Sequence, residues 1–287
     1  MPTAKVGIIG GSGLYQMDGL ADLQEISIDT PFGSPSDAFI TGKIGNVPVA
    51  FLPRHARGHR FLPAEVPYLA NIYAFKLLGV EWIISVNAVG SLRSDYAPLD
   101  IVIPDQLFDR TTGRRQSFFG DGLVAHVGVA EPFCPTLSQH LYTVARQVSP
   151  ATVHMGGAYI CIQGPQFSTK AESKVYRQWG MDIIGMTAVT EAKLAREAEI
   201  CYATMAMVTD YDVWHESGEV VTNDMVIANL LKNVVTAQSV IRQAVPSIPS
   251  VHNCQCQMAL SAAFATEKSV VPDVTKQRLA AIIQNRF

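Results

Sequence analysis

Val6-Gly7-Ile8-Ile9 runs directly into Gly10-Gly11-Ser12-Gly13, and this stretch decides how the rest of the chain is read. A short apolar run cut off by a glycine cluster predicts a buried strand that ends in a tight turn. Outward from it, 38–43 and 47–52 flank Gly45-Asn46 and predict a hairpin. Residues 64–78 have helical length and period and stop at Gly79, and 82–86 and 101–103 read as short buried strands. Further along, 136–148 predicts a helix, 156–162 a strand, and 168–179 a helix with Ser168 as its cap. Strands at 182–186 and 201–208 enclose a helix at 190–199, and a long helix at 222–244 stops near Pro246. Strands alternating with helices in this way predict an α/β fold with a largely parallel sheet. No repeat and no Ser/Gly/Pro-rich linker interrupts the pattern, so 1–246 reads as a single domain. Residues 247–287 form a polar tail with a last helix at 275–285, expected to pack on the same domain or on a neighbouring subunit.

Composition narrows the classes. The 287 residues are 48% hydrophobic and 16% charged, with a formal net charge of −3. That apolar share excludes a disordered chain, and the absence of a basic run argues against nucleic acid as a partner. No apolar stretch reaches the roughly 18 residues of a membrane span, and the glycine turn cuts the first apolar run too early for a secretory leader. Five scattered cysteines, Cys134, Cys161, Cys201, Cys254 and Cys256, suit a reducing compartment, most simply the cytoplasm. Cys254-Gln255-Cys256 lacks a second Cys or His pair at zinc-ligand spacing, so no metal is expected there. Buried thiols or a strained local disulfide are its alternative readings. Cys134, without a local partner to lower its pKa, reads as structural.

Ligands in α/β sheets gather at the carboxyl ends of strands, which directs attention to five loops. Gly10-Gly11-Ser12-Gly13 can wrap a phosphate with its amides and the Ser12 hydroxyl, or be only a tight turn; it is neither GxGxxG nor a P-loop. Arg54-His55 supplies a guanidinium fork and, if protonated, an imidazolium donor; with Arg57, His59 and Arg60 close by it also fits a solvated basic loop. Ser85-Val86-Asn87-Ala88-Val89-Gly90-Ser91 exposes amides and an Asn side chain at a strand end, or is only an ordinary strand-ending turn. Phe167, at a strand-to-helix turn, either stacks on a flat ligand or plugs the core, and from the residues alone the core is favoured. Asp210 and Asp212 point to one face if the strand continues through them. Paired carboxylates at a strand end fit metal ligands, an acid/base pair, or acceptors for a ring N–H and an amino group. There is no G-x-S-x-G elbow and no H-E-x-x-H motif.

Taken together these segments resemble the trimeric purine nucleoside phosphorylase superfamily, and within it the branch that cleaves 5′-methylthioadenosine. The resemblance rests on Gly7-Ile8-Ile9-Gly10-Gly11-Ser12-Gly13-Leu14, Asp29-Thr30-Pro31-Phe32-Gly33, Arg54-His55, Gly90-Ser91-Leu92 and Asp109-Arg110-Thr111-Thr112. It continues through Ala130-Glu131-Pro132-Phe133-Cys134, Gly164-Pro165, Phe167-Ser168, Gly185-Met186-Thr187 and Thr209-Asp210-Tyr211-Asp212. The pieces occur in family order from about 6 to 244, and the tail after Pro246 matches poorly.

The resemblance implies a mixed central sheet curled toward a barrel and flanked by helices. It implies phosphorolysis of 5′-methylthioadenosine to adenine and 5-methylthioribose 1-phosphate, with phosphate as co-substrate and no metal or organic cofactor. Carried over by position, Ser12, Arg54, His55, Asn87, Ala88 and Thr187 hold phosphate. Met186 packs under the ribose, and Phe167 and Val226 line the pocket. Asp210 donates a proton toward N7, and Asp212 reads the 6-amino group. Ser168 and Asn223 bear on specificity, and His126 reaches the pocket of a neighbouring subunit in a homotrimer. Asn87 stands where many relatives carry Thr, Gln166 where Arg is common, and Asn223 where an apolar residue is usual. A phosphorylase for adenosine or 6-oxopurine nucleosides, and a non-catalytic adenine-nucleoside-binding protein, are the competing readings.

Overall fold

β1 (Val6–Gly10) is buried at every position because it lies between two parallel neighbours, β4 (Val47–Pro53) and β5 (Trp82–Ser91). A strand covered on both edges and both faces has no polar side to show, which is why its sequence does not alternate. The computed structural model describes residues 4–11, 13–215 and 223–287, apart from the side chains of 223–227 and 285. Further strands are β2 (Leu20–Ile26), β3 (Phe39–Ile44), β6 (Ile101–Ile103), β7 (Gln106–Arg110), β8 (Val153–Met155), β9 (Ala158–Ile162), β10 (Ile183–Gly185) and β11 (Cys201–Tyr211). The helices are α1 (Tyr68–Leu77), α2 (Pro135–Val148), α3 (Lys170–Gln178), α4 (Ala188–Glu197), α5 (Asn223–Ala244), α6 (Asp273–Arg278) and α7 (Ala280–Ile283). They flank one mixed sheet in a single α/β domain, and no described helix is long and apolar enough to cross a membrane.

The sheet follows the order β2-β3-β4-β1-β5-β10-β9-β7, with β11 pairing both β5 and β6, and β8 on β6. Its branching at β5 matters most. Trp82–Ser85 pair with β1, whereas Gly90 and Ser91 pair with β10, and β11 runs parallel along the other edge of β5 throughout. Between Ser85 and Gly90 the first edge of β5 is therefore open. Ala88 is exposed there, in the middle of a ten-residue strand whose neighbours Asn87 and Val89 are buried. The sheet is largely parallel, as the strand–helix alternation predicts, with six parallel pairings and four antiparallel exceptions among the described residues. β10 runs antiparallel to β5, β6 antiparallel to β11, and β2 and β3 join antiparallel as well. Alternation places helices between strands, but it does not say how the parallel set β7, β9 and β10 is laid against β5.

Local chemistry adjusts the element ends. α1 starts only after Pro67, since a proline disfavours helical geometry in the residue before it. α3 is capped by Thr169, not Ser168. The Thr169 hydroxyl accepts from the Glu172 amide while the Glu172 carboxylate accepts from the Thr169 amide, a reciprocal capping box. The last helix divides at Leu279 (φ −96°, ψ 8°) into α6 and α7. The tail lays Leu260, Leu279, Ile282 and Ile283 into the same core as Ile72 and Phe75 of α1.

Candidate active site

The open edge of β5 is built around Arg54, just past the end of β4. Its side chain is only 4% exposed, so the solvated-loop reading does not hold for it. Nε and Nη2 donate to the two carboxylate oxygens of Glu191 on α4 at 2.5 and 3.1 Å. Nη2 also donates to Ser85 Oγ at 2.7 Å, and Nη1 to the carbonyl of Val86 at 3.1 Å. Burial alone would lower the guanidinium pKa, but Glu191 more than offsets this and holds the charge. One Nη1 hydrogen remains without a partner among the described residues.

Ser85 extends the network to the predicted phosphate residues. Its hydroxyl donates to Asn87 Oδ1 at 2.8 Å, and Asn87 Nδ2 donates to Thr187 Oγ1 at 2.9 Å. Asn87 and Thr187 are thus brought together across the sheet branch, with exposed Ala88 next to them. Thr187 sits immediately before α4, so the free amides of that helix start lie beside it. Ser12 falls outside the described residues.

His55 is present at this corner but in a different state from the one expected. Nδ1 lies 2.8 Å from the Phe61 carbonyl, which only accepts, so the proton is on Nδ1 and Nε2 carries a lone pair. Burial, and then the Arg54 charge, push its pKa down to about 4. His55 is therefore neutral near pH 7, and the cationic donor is corrected to a neutral acceptor. Its ring stacks on His59 with centroids 4.3 Å apart.

At the other end of the crevice β11 delivers the two carboxylates. The pairing of β11 with β5 shifts register between Val208 and Asp210, a bulge that changes the direction of the strand end. Two asparagines of α5, one turn apart, hold carbonyls at the bulge: Asn233 Nδ2 donates to Val208 O at 3.0 Å, which also accepts from the Leu99 amide, and Asn229 Nδ2 to Thr209 O at 2.7 Å. Asp210 and Asp212 are both buried. A Cβ on Gly90 would meet Asp210 Oδ1 at 3.2 Å and Asp212 Cβ at 3.5 Å, so both acids lie against the same glycine.

Burial raises the Asp210 pKa to about 6; the Thr209 hydroxyl, 2.7 Å away, pulls it back in part and the Asp212 charge adds to the rise. Burial raises Asp212 too, and the Ser173 hydroxyl is likewise buried without a hydrogen-bond partner among the described residues. Asp212 Oδ2 and Ser168 Oγ are buried without a hydrogen-bond partner among the described residues. An acceptor left unpartnered in a buried place is costly and rare.

The floor between the two ends is Met186, over which the loop before α3 passes closely. A Cβ on Gly164 (φ +62°) would stand 2.5 Å from Met186 Sδ, so only glycine fits. Arg114 holds this arrangement, donating to the carbonyls of Met186 and Gln163, each at 2.7 Å. Phe167 is half exposed, which overturns the core-plug reading and leaves its ring free for a flat ligand. His126 is exposed, its amide bonded to the Ala263 carbonyl of the tail. Asn223 and Val226 belong to the first turns of α5, but their side chains fall outside the described residues.

Sequence reasoning missed Glu191, Arg114, Asn229 and Asn233, and gave Ser85 no role of its own within the Ser85–Ser91 segment. Ser85 and Asn87 share a strand face by the period of two, and Asn229 and Asn233 share a helix face, so a local signal existed for those pairs. Glu191 and Arg114 had none.

The Arg54 network and the buried acid pair both lie along β5 in this α/β fold. The chain belongs to the phosphorylase superfamily, whose family model matches residues 5–246. It is 55% identical to the S-methyl-5′-thioadenosine phosphorylase of Gloeobacter violaceus, over 98% of this chain and 96% of that one. Among solved structures it resembles a methylthioadenosine phosphorylase from an Antarctic soil metagenomic library (TM-score 0.94, 50% identity, 98% and 99% of the two chains). It also resembles a single-residue variant of adenosine/methylthioadenosine phosphorylase from Schistosoma mansoni in complex with methylthioadenosine (TM-score 0.83, 37% identity, 95% and 100% covered).

Proposed function

We propose that the chain catalyses reversible phosphorolysis of 5′-methylthioadenosine, releasing adenine and 5-methylthioribose 1-phosphate. The observation that carries this reading is the pairing of Asp210, whose pKa of about 6 leaves a protonated fraction near neutral pH, with Asp212 Oδ2, an acceptor unpartnered among the described residues. A 6-aminopurine offers an N–H donor to Asp212 and an N7 acceptor to Asp210. A 6-oxopurine would set its carbonyl oxygen against a carboxylate, which a polar site rejects strongly.

In the reaction the C1′–N9 bond breaks, a phosphate oxygen bonds to C1′, and the Asp210 proton moves to N7 of the leaving base. Positive charge grows on the sugar and negative charge on the purine, so phosphate on one side and a carboxylic acid on the other stabilise both. Arg54 offers its remaining Nη1 hydrogen, with Asn87, the Ala88 amide, Thr187 and Ser12, to the phosphate oxygens. His55 Nε2 accepts from the phosphate P–OH. Met186 underlies the ribose, and Phe167 and Val226 wall the pocket, with Ser168 and Asn223 tuning specificity. Inorganic phosphate is the co-substrate, and the chemistry calls on no metal or organic cofactor. This reading includes a homotrimer in which His126 completes a neighbour's pocket, and a cytoplasmic location.

The test is base release from methylthioadenosine, adenosine and inosine, each with and without phosphate. Adenine release from methylthioadenosine only when phosphate is present supports the proposal. Phosphate-independent release, or binding without turnover, overturns it.

A further inference from the structure

Four cysteines remote in sequence converge at the end of β11 opposite Asp210. Cys134 immediately precedes α2, Cys201 is the first residue of β11, and Cys254 and Cys256 lie in the tail. Their four Sγ atoms all lie within 4.8 Å of one another, and Cys201 and Cys254 approach to 3.4 Å. The second cysteine pair that Cys254-Gln255-Cys256 lacks in sequence is thus supplied in space.

We propose that this quartet is a structural site for a soft tetrahedral divalent ion, Zn²⁺ by its chemistry. A zinc ion with four thiolates at about 2.3 Å requires sulfur–sulfur edges of roughly 3.8 Å. The observed spacing brackets that edge and lies far outside the roughly 2.05 Å of a disulfide. Cys134, Cys201 and Cys256 are buried and Cys254 is part-buried, and four thiolates fill a tetrahedral sphere without leaving a position for substrate.

A polar side chain supports the quartet from outside. His252 Nδ1 lies 3.3 Å from Cys201 Sγ, and its Nε2 lies 3.2 Å from Glu81 Oε2. The imidazole thus bridges a cysteine of the quartet and a carboxylate, and its ring is held flat against Trp82 with centroids 4.1 Å apart. Outer hydrogen bonds of this kind orient metal ligands and tune their basicity. Binding releases the thiol protons to solvent, so no oxidant or reductant takes part.

The consequence is mechanical. The ion ties the tail to the start of α2 and to the root of β11, the strand that carries the acid pair. Thr136 Oγ1 already donates to Asn253 O at 3.2 Å across the same junction.

The experiment uses the full chain, reduced, stripped of metal and titrated with Co²⁺. The expected result is one ion per chain, with a sulfur-to-cobalt charge-transfer band and the visible bands of tetrahedral thiolate cobalt. Zn²⁺ should abolish the bands and raise Tm. Cys254→Ser should lose them, and Cys254→His should keep binding with shifted bands, which separates loss of a ligand from loss of folding. Absence of the bands in the reduced chain overturns the proposal. So does a native protein whose only titratable thiol in denaturant is Cys161, because the quartet would then be two disulfides.

Discussion

Glu191 holds Arg54 by both edges, with Oε1 2.5 Å from Nε and Oε2 3.1 Å from Nη2, and neither side chain is more than 5% exposed. The carboxylate compensates the buried charge and aims the remaining Nη1 hydrogen toward the open edge of β5.

Removing that carboxylate should do two things at once. Glu191→Ala leaves an uncompensated buried guanidinium, so stability should fall by about 3–5 kcal/mol in denaturant unfolding. In the folded fraction the phosphate KM should rise more than the nucleoside KM, since Arg54 loses its orientation. A variant with wild-type stability and an unchanged phosphate KM would remove Glu191 from this role.

Asp210→Asn should separate activity from stability. It loses the donated proton, so turnover should drop by about 10²–10⁴. Burial raises the folded-state pKa of Asp210 from 3.8 to about 6. The stability it contributes is therefore full below about pH 4 and is lost as pH rises through about 6. Above that range the wild type bears a cost on the order of 3 kcal/mol that asparagine does not share. The Tm difference between variant and wild type should then grow in the variant's favour from pH 4 to pH 7 and level off. A difference that is independent of pH would contradict the buried, proton-holding acid.

His55 should titrate far below ordinary histidines. Burial and Arg54 push it down to about 4, so its contribution to stability is present above about pH 6.5 and is lost as pH falls through 4. Imidazole ¹⁵N shifts should show a neutral ring with Nδ1 protonated throughout pH 6–8. A titration midpoint at or above 6.5 in the free protein would restore the cationic donor.

Specificity turns on the first helical turns of α5. An apolar pocket rejects an isosteric hydroxyl only about a hundredfold. The kcat/KM for methylthioadenosine should exceed that for adenosine by at least about tenfold, and Asn223→Val should widen the gap. Adenosine as the better substrate, with the order reversed by Asn223→Val, would make Asn223 a reader of the 5′-hydroxyl.

Much of the fold was legible because its signals are local. The runs at Val6–Ile9 and from Trp82, the Gly45-Asn46 turn, and the strand-end placement of Asp210 and Asp212 follow from period and turn chemistry over a few residues. The Thr169–Glu172 capping box was equally local, although Ser168 was chosen in its place. Other features depended on segments far apart in the chain. Glu191 lies 137 residues from Arg54, and only the packing of α4 against the branched sheet makes them a pair. The neutrality of His55 and the raised pKa of Asp210 come from burial, a property of the assembled crevice. The cysteine quartet draws on α2, β11 and the tail. The sequence by itself determined which residue types stand at which strand ends. The tertiary structure alone decided their partners and their charge, because desolvation and pairing are set by neighbours that no local pattern encodes.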